Sequence, residues 1–133
     1  MCIDQTKDIR LCIPRSESGR TVVPVDACIA EEIQELNDKG VITLSCCCGH
    51  GRAGETTEWE NGFGQWKGYI DPPHALISQE SVEVSQKLGY RPFPYSYADG
   101  EQFGVLKMYL KTGCMNKQDC EEWVKREERR TPL

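Results

Sequence analysis

Residues 25–52 read VDACIAEEIQELNDKGVITLSCCCGHGR, and this stretch predicts the element order that decides the fold. Its apolar positions recur on one helical stripe with the acidic residues outside it, namely Ile29, Ile33 and Leu36 against Glu31, Glu32 and Glu35. Asp26 is a residue type that caps helix N-termini, and residues 37–40 supply the stop. Residues 41–44 then predict a short strand that runs directly into a cluster of cysteines.

The cluster holds three thiols and one imidazole within five positions, at Cys46, Cys47, Cys48 and His50. Cysteine and histidine are the ligands that zinc prefers, and the glycines beside His50 permit the tight turn that ligand geometry needs. A tetrahedral site needs four ligands. Cys28 is the remote candidate, because helix, turn and strand return the chain beside it. The sequence therefore predicts zinc as cofactor, held by Cys28, Cys47, Cys48 and His50.

Alternatives for the ligand set remain open. Adjacent cysteines point to opposite sides of an extended chain, so Cys46, Cys47 and Cys48 are not all expected on one ion. One or two of them can instead pack as small apolar residues. His74, after two prolines, is the reserve ligand. The remaining cysteines are expected to be surface or structural thiols, at Cys2, Cys12, Cys114 and Cys120.

The length of 133 residues predicts a single domain, residues 1–133, with a lean apolar fraction of 38% that a bound metal would help to stabilise. Residues 1–24 are expected to form a weakly structured N-terminal hairpin or arm, and residues 25–133 the metal-binding core. The expected fold class is α+β, metal-stabilised, with about three helices and a short mixed or antiparallel sheet.

The rest of the chain predicts further elements. Residues 49–68 have no sustained period and are expected to form a long loop. A second helix is expected over residues 79–88 with Ser78 as its cap, and a strand over residues 104–111. A last helix is expected from residue 116 to about residue 129, anchored by Trp123 and Val124.

Charge and cysteine usage bear on location and partners. The first fifteen residues lack a continuous apolar stretch, so no signal peptide is expected, and no segment is apolar enough to span a membrane. A cytoplasmic location follows, where the eight cysteines would be reduced. The net charge of −5 disfavours nucleic acid as a partner. The expected partners are zinc and an unidentified protein or small molecule.

The string from Val25 to Arg52, with its Val-Asp-x-Cys start and its Cys-Cys-Gly-His-Gly centre, resembles a group of small bacterial and phage proteins of unknown function. Residues 81–90, ending Leu-Gly-Tyr, look like their second block. The resemblance covers about half of the chain. It implies the pairing of Cys28 with Cys47, Cys48 and His50, but no activity.

Cys46 and Arg52 have a second resemblance, to the Cys-x5-Arg phosphate loop of protein tyrosine phosphatases. In such a loop a thiolate attacks phosphorus while backbone N–H groups and the arginine hold the oxygens. Here Ala53 stands in the place of the hydroxyl residue, and residues 55–64 lack the pattern of the helix that should follow.

The leading hypothesis is a small zinc-binding domain that acts as a non-enzymatic binding or regulatory protein, with a phage-encoded regulator as one form of it. The alternative is a hydrolase or phosphatase that uses Cys46 and Arg52 or an open metal site, so whether the chain is an enzyme stays open. A third possibility is a ligand pocket lined by aromatic residues, at Trp59, Trp66, Tyr69, Tyr95 and Tyr97.

Overall fold

The structure, a computed structural model, describes residues 5–14, 19–62, 64–97 and 100–130. In this part of the chain the α-helices are α1 (Ala30–Asp38), α2 (Val82–Lys87) and α3 (Lys117–Arg130). The strands are β1 (Thr6–Arg10), β2 (Val22–Asp26), β3 (Thr43–Cys47), β4 (Thr56–Asn61), β5 (Gly64–Tyr69), β6 (His74–Ser78), β7 (Phe93–Tyr97) and β8 (Gly100–Tyr109). The chain is a small α+β domain, as predicted.

The strands form one four-stranded sheet and two hairpins, and all of the described pairings are antiparallel. The sheet has the order β3-β6-β8-β7. β1 pairs with β2, and β4 pairs with β5. Antiparallel sheets commonly keep one face on the core and leave the other toward solvent, which is the arrangement in this sheet.

A bulge in β3 decides which side of the sheet each cysteine faces. Thr43 lies opposite the fully buried Ile77, and Cys46, three residues later, lies opposite the fully buried Ala75. Residues three apart in a regular strand face opposite sides, but the register shifts by one residue just after Thr43. Cys46 therefore faces the core, and Cys47 faces the outer side of the sheet.

The predicted stripe of the first helix forms the centre of the core. Ile29, Ile33 and Leu36 are each at most 2% exposed, and they belong to one buried cluster with Ile77 and Met108 of the sheet. Burying each such side chain contributes about 1.5–3 kcal/mol. The periodicity of residues 29–36 was thus sufficient to place the helix and its buried face.

The N-terminal hairpin packs against α1. Ile9 and Leu11 are buried in the core cluster. The side chain of Gln34 on α1 accepts a hydrogen bond from the backbone N–H of Arg10 at 2.8 Å and donates one to its carbonyl oxygen at 3.0 Å. The edge of β1 is therefore held by a side chain of the helix.

The prediction that Glu32 lies outside the buried face of α1 was wrong. Glu32 is 7% exposed, and its carboxylate accepts hydrogen bonds from Tyr90, Lys111 and Thr112. A buried carboxylate is tolerated when enough donors surround it. Helical periodicity assigns polar residues to the exposed face. It could not predict that hydrogen-bond donors from residues far along the chain would surround Glu32.

The predicted long loop over residues 49–68 was also wrong. After a 3₁₀ turn at Gly49–Gly51, the chain forms the β4–β5 hairpin, in which Trp59 lies opposite Trp66. Tyr95 belongs to β7 in a different sheet, so the proposed aromatic residues are divided between two sheets.

The helix starts differ in how closely they match the predictions. Neither Asp26 nor Ser78 makes a side-chain capping bond, and each precedes a 3₁₀ turn rather than the first turn of an α-helix. The last helix was predicted well: Asn116 accepts a hydrogen bond from the N–H of Asp119 at 2.9 Å, and Trp123 is buried. Within the described residues, no helix combines the length and the apolar character needed to cross a lipid bilayer.

Candidate metal centre

The 3₁₀ turn after β3 has an uncommon backbone. Gly49, His50 and Gly51 have φ angles of 76°, 53° and 74°, which place all three in the left-handed region. Such a φ costs a non-glycine residue about 1–2 kcal/mol, so His50 is held against its preference. Residues kept in this region concentrate at functional sites, where the surrounding structure enforces them.

The two glycines are also required by packing. A Cβ on Gly49 would lie 2.9 Å from the carbonyl oxygen of Asp71, and one on Gly51 would lie 2.9 Å from that of Asn116. The turn therefore packs closely between the segment before β6 and the start of α3. This packing constrains the backbone on both sides of His50.

Three metal-ligating groups converge at this turn. Asp26, Cys48 and His50 each place one ligand atom, a carboxylate oxygen, a sulfur and a ring nitrogen, within 4.8 Å of the others. The Sγ atom of Cys48 lies 3.4 Å from Nδ1 of His50. Cys48 is fully buried, whereas Asp26 and His50 are half-buried.

Cys28 adjoins this group through Cys48. Its side chain forms a hydrogen bond with the thiol of Cys48, and this bond is the largest of the effects that lower the pKa of Cys48 to about 7. Burial of Cys48 opposes the shift, and the backbone N–H of His50, which donates to the Cys48 sulfur at 3.3 Å, adds to it. The structure thus brings together the remote cysteine and the cluster.

Cys47 lies on the other side of the imidazole. Its Sγ atom is 3.6 Å from Nε2 of His50 and accepts the N–H of Gly49 at 3.4 Å. Burial raises the pKa of the Cys47 thiol, and the bond from Gly49 opposes that rise. Of the four predicted ligands, Cys48 and Cys47 therefore contact different nitrogens of one histidine.

Asp26 was missed as a site residue. Its carboxylate accepts the backbone N–H of Cys48 at 3.0 Å instead of capping the helix. The sequence did carry a signal, because Asp26 belongs to the same Val-Asp-x-Cys string as Cys28. The residue type alone favours a helix cap equally well, which is why the pattern was interpreted that way.

Cys46 and Arg52 are not arranged as they would be in a phosphate loop. Cys46 is a partly buried residue of β3 on the core side. The guanidinium of Arg52 is about half exposed and pairs with Glu55, with Nε 3.4 Å from Oε1. Strand β4, rather than a helix, follows the turn. A loop that binds phosphate by its backbone usually precedes a helix N-terminus.

The other predicted thiols lie apart from the converging group. Cys12 is exposed, and its thiol donates to the carbonyl oxygen of Val41 at 3.4 Å. Cys114 and Cys120 are buried, and a Cβ on Gly51 would lie 3.0 Å from the sulfur of Cys120. Cys2 lies outside the described residues.

Comparisons with known proteins identify no relative: no protein-family model matches the chain, and neither a curated protein nor a solved structure is significantly similar to it. Both resemblances drawn from the sequence therefore stay predictions.

Proposed function

We propose that this protein is a zinc-binding domain with a non-enzymatic binding or regulatory role. The convergence of Asp26, Cys48 and His50 within 4.8 Å carries the proposal. Cys28 lies outside this group of three, and its hydrogen bond to Cys48 makes it the fourth ligand of the proposal. This set differs from the one predicted from the sequence in that Asp26 takes the place of Cys47.

The donor set suits zinc. Two thiolates, one imidazole and one carboxylate are all accepted ligands of this ion. With Zn–S near 2.3 Å and Zn–N near 2.0 Å, the sulfur and nitrogen of a tetrahedral site lie about 3.5 Å apart. The distance of 3.4 Å between Cys48 Sγ and His50 Nδ1 is close to that value. Calcium and magnesium prefer oxygen ligands, so this group disfavours them.

A bound ion would join three segments of the chain. Asp26 ends β2, Cys28 lies in the 3₁₀ turn before α1, and His50 lies in the turn after β3. Apparent binding energies of structural zinc reach roughly 10 kcal/mol or more, which is large beside the stability of a small domain. The ion would also hold His50 in its left-handed conformation.

A closed site favours a binding role over catalysis. Four protein ligands leave no coordination position for a substrate, and Cys48 is fully buried. Cys28 lines a surface cavity of about 340 Å³ together with Lys7, Trp123 and Arg126. A cavity of this size is in the range of small-molecule sites. A regulatory ligand there would lie beside the metal centre.

The test is the zinc content of protein purified without added metal, measured with its melting temperature. We expect about one zinc per chain in the parent protein, and a loss of both zinc and thermal stability in Cys48→Ser, His50→Ala and Cys28→Ser. Asp26→Asn should weaken zinc binding about 10-fold or more, because the amide is a poorer ligand than the carboxylate.

Cys12→Ser is the matched control, since Cys12 is exposed and its thiol donates a hydrogen bond to the carbonyl oxygen of Val41, away from the converging group. It should keep the zinc content and the melting temperature of the parent. Normal zinc in Cys48→Ser would contradict the proposal.

A further inference from the structure

The surface cavity beside Cys28 has walls from several separate segments of the chain. Its volume is about 340 Å³, and it is bounded by Lys7 on β1, Cys28 before α1, residues 111–113 after β8 and Trp123 on α3. This volume is within the range of small-molecule sites. The cavity is therefore large enough for an organic molecule rather than for a single ion.

The charges that line this cavity are mostly opposite in sign to the net charge of the chain. Lys7, Lys111 and Arg126 are basic and Glu31 is acidic, in a chain of net charge −5. The ammonium group of Lys111 donates to the carbonyl oxygen of Leu88 at 2.8 Å, a neutral group that does not cancel its charge. Even if Glu31 neutralises one basic group, two positive charges remain. The cavity therefore favours an anion.

Trp123 forms a flat apolar wall of the cavity. It is 9% exposed and belongs to the buried core cluster, so packing holds the indole in place. Arg126 follows three residues later on α3, and residues three apart lie on the same side of a helix. Aromatic rings pack against one another, and a guanidinium binds carboxylates. The two side chains together suit a ligand that carries both a ring and an anionic group.

The wall formed by residues 111–112 is held in place by Glu32. The backbone N–H groups of Lys111 and Thr112 donate to its carboxylate at 2.8 and 2.9 Å. A wall that is formed before the ligand arrives lowers the entropic cost of binding. Phosphate groups commonly bind backbone N–H groups, and these two are already bound to Glu32. The cavity thus offers an anion cationic side chains, which suits a carboxylate.

We infer that this cavity binds a small aromatic carboxylate, with its ring against Trp123 and its carboxylate facing Arg126 and Lys7. A guanidinium can donate two parallel hydrogen bonds to one carboxylate. The inference rests on the proposed function in that it names the class of ligand for the binding role, although the contacts themselves need no bound ion. A ligand seated there lies against the wall that contains Cys28.

The test is isothermal titration calorimetry of the chain with 2-naphthoate and with 2-naphthamide, which has the same ring system but no charge. We expect one naphthoate per chain, bound at least about 5-fold more tightly than the amide. Higher ionic strength should weaken the binding of naphthoate and leave that of the amide unchanged. Equal affinity for the two compounds, or no binding of naphthoate, would overturn the inference.

Two variants locate the carboxylate. Arg126→Gln and Lys7→Gln should each weaken naphthoate binding about 5-fold, with little change for the amide. Arg91→Gln is the matched control, because Arg91 is exposed and is not among the residues that line this cavity. It should bind naphthoate as the parent does. Unchanged affinity in Arg126→Gln, or an equal loss in Arg91→Gln, would overturn the assignment of the cavity.

The zinc content of the same protein separates this inference from the proposed metal centre. A chain that holds zinc and does not bind naphthoate would overturn the carboxylate site and leave the metal centre intact. A chain without zinc that binds naphthoate with the expected preference would support the carboxylate site and contradict the metal centre.

Discussion

Two clusters of polar groups tie the start of the first helix to the rest of the molecule, and they are built in opposite ways. Around Glu32, four donors from Tyr90, Lys111 and Thr112 meet one carboxylate at 2.5–2.9 Å. At the turn after β3, groups of the kinds that can bind a metal ion, Cys48 and His50 among them, lie within 4.8 Å of one another.

The difference indicates what each cluster needs. A carboxylate surrounded by four donors is satisfied by the protein itself, so the Glu32 cluster is complete as a structural element. Thiolate, imidazole and carboxylate are electron-pair donors, and bringing them together is favourable when a cation lies between them. Convergence of ligand atoms is therefore the better indication of a binding site, although both clusters are buried or half-buried.

Among substitutions that leave the converging group at the turn intact, the largest effect is expected from Glu32→Gln. The amide nitrogen of glutamine cannot accept hydrogen bonds from the donors that surround this position. We therefore expect a loss of about 3 kcal/mol in the free energy of unfolding, measured in urea. Zinc content should not change, since Glu32 contributes no atom to the converging group.

Glu31→Gln is the control for this prediction, because Glu31 is the exposed neighbour on the same helix. It should change the free energy of unfolding by about 0.5 kcal/mol or less. If the two variants were equally stable, the Glu32 cluster would not have the structural role assigned to it.

A smaller effect is expected from Tyr90→Phe, about 1–2 kcal/mol at pH 7 from the lost bond to Glu32. Burial, and then the bond to Glu32, raises the pKa of Tyr90 above its ordinary value near 10. A raised pKa means that the neutral phenol stabilises the fold below pH 10 and that this stability is lost as pH rises further.

The difference between the parent and Tyr90→Phe should therefore shrink as pH rises from about 10 to 11.5, in urea unfolding curves taken at each pH. A difference that stays constant over this range would mean that the phenol is not held neutral by its surroundings.

The smallest effect is expected from Arg52→Lys, immediately after the 3₁₀ turn Gly49–Gly51. Arg52 is about half exposed and paired with Glu55, so stability should change by about 0.5 kcal/mol or less, with zinc content unchanged. The parent should not hydrolyse an aryl phosphate. Vanadate-sensitive hydrolysis that disappears in both Arg52→Lys and Cys46→Ser would instead support the phosphatase alternative.

Local patterns were predictable from the sequence where burial follows polarity. The apolar stripe of residues 29–36 placed the first helix, and Asn116 placed the start of the last one. The β4–β5 hairpin was missed, although the pair Asn61-Gly62 between alternating residues is a hairpin signal. The glycines and acidic residues around that pair interrupt the alternation of apolar and polar residues on which a strand prediction rests.

Interactions over long sequence separations were not predictable. Glu32 meets Thr112 across 80 positions, and no local period reports such a partner. Asp26 meets the backbone of Cys48 across 22 positions. The side of the sheet on which each thiol lies depends on the bulge in β3, and a one-residue irregularity leaves no trace in composition or hydropathy.

That bulge has a consequence for how sequences of this kind can diverge. Removing Leu44 would remove the bulge and restore regular alternation, with Cys46 still opposite Ala75 on the core side and Cys47 still opposite His74. The bulge therefore absorbs the loss of one residue, whereas a strand of the present length without the bulge would exchange the faces of Cys46 and Cys47. Alignments that allow a one-residue gap between residues 43 and 46 would therefore match chains that keep each cysteine of the cluster on the same side of the sheet.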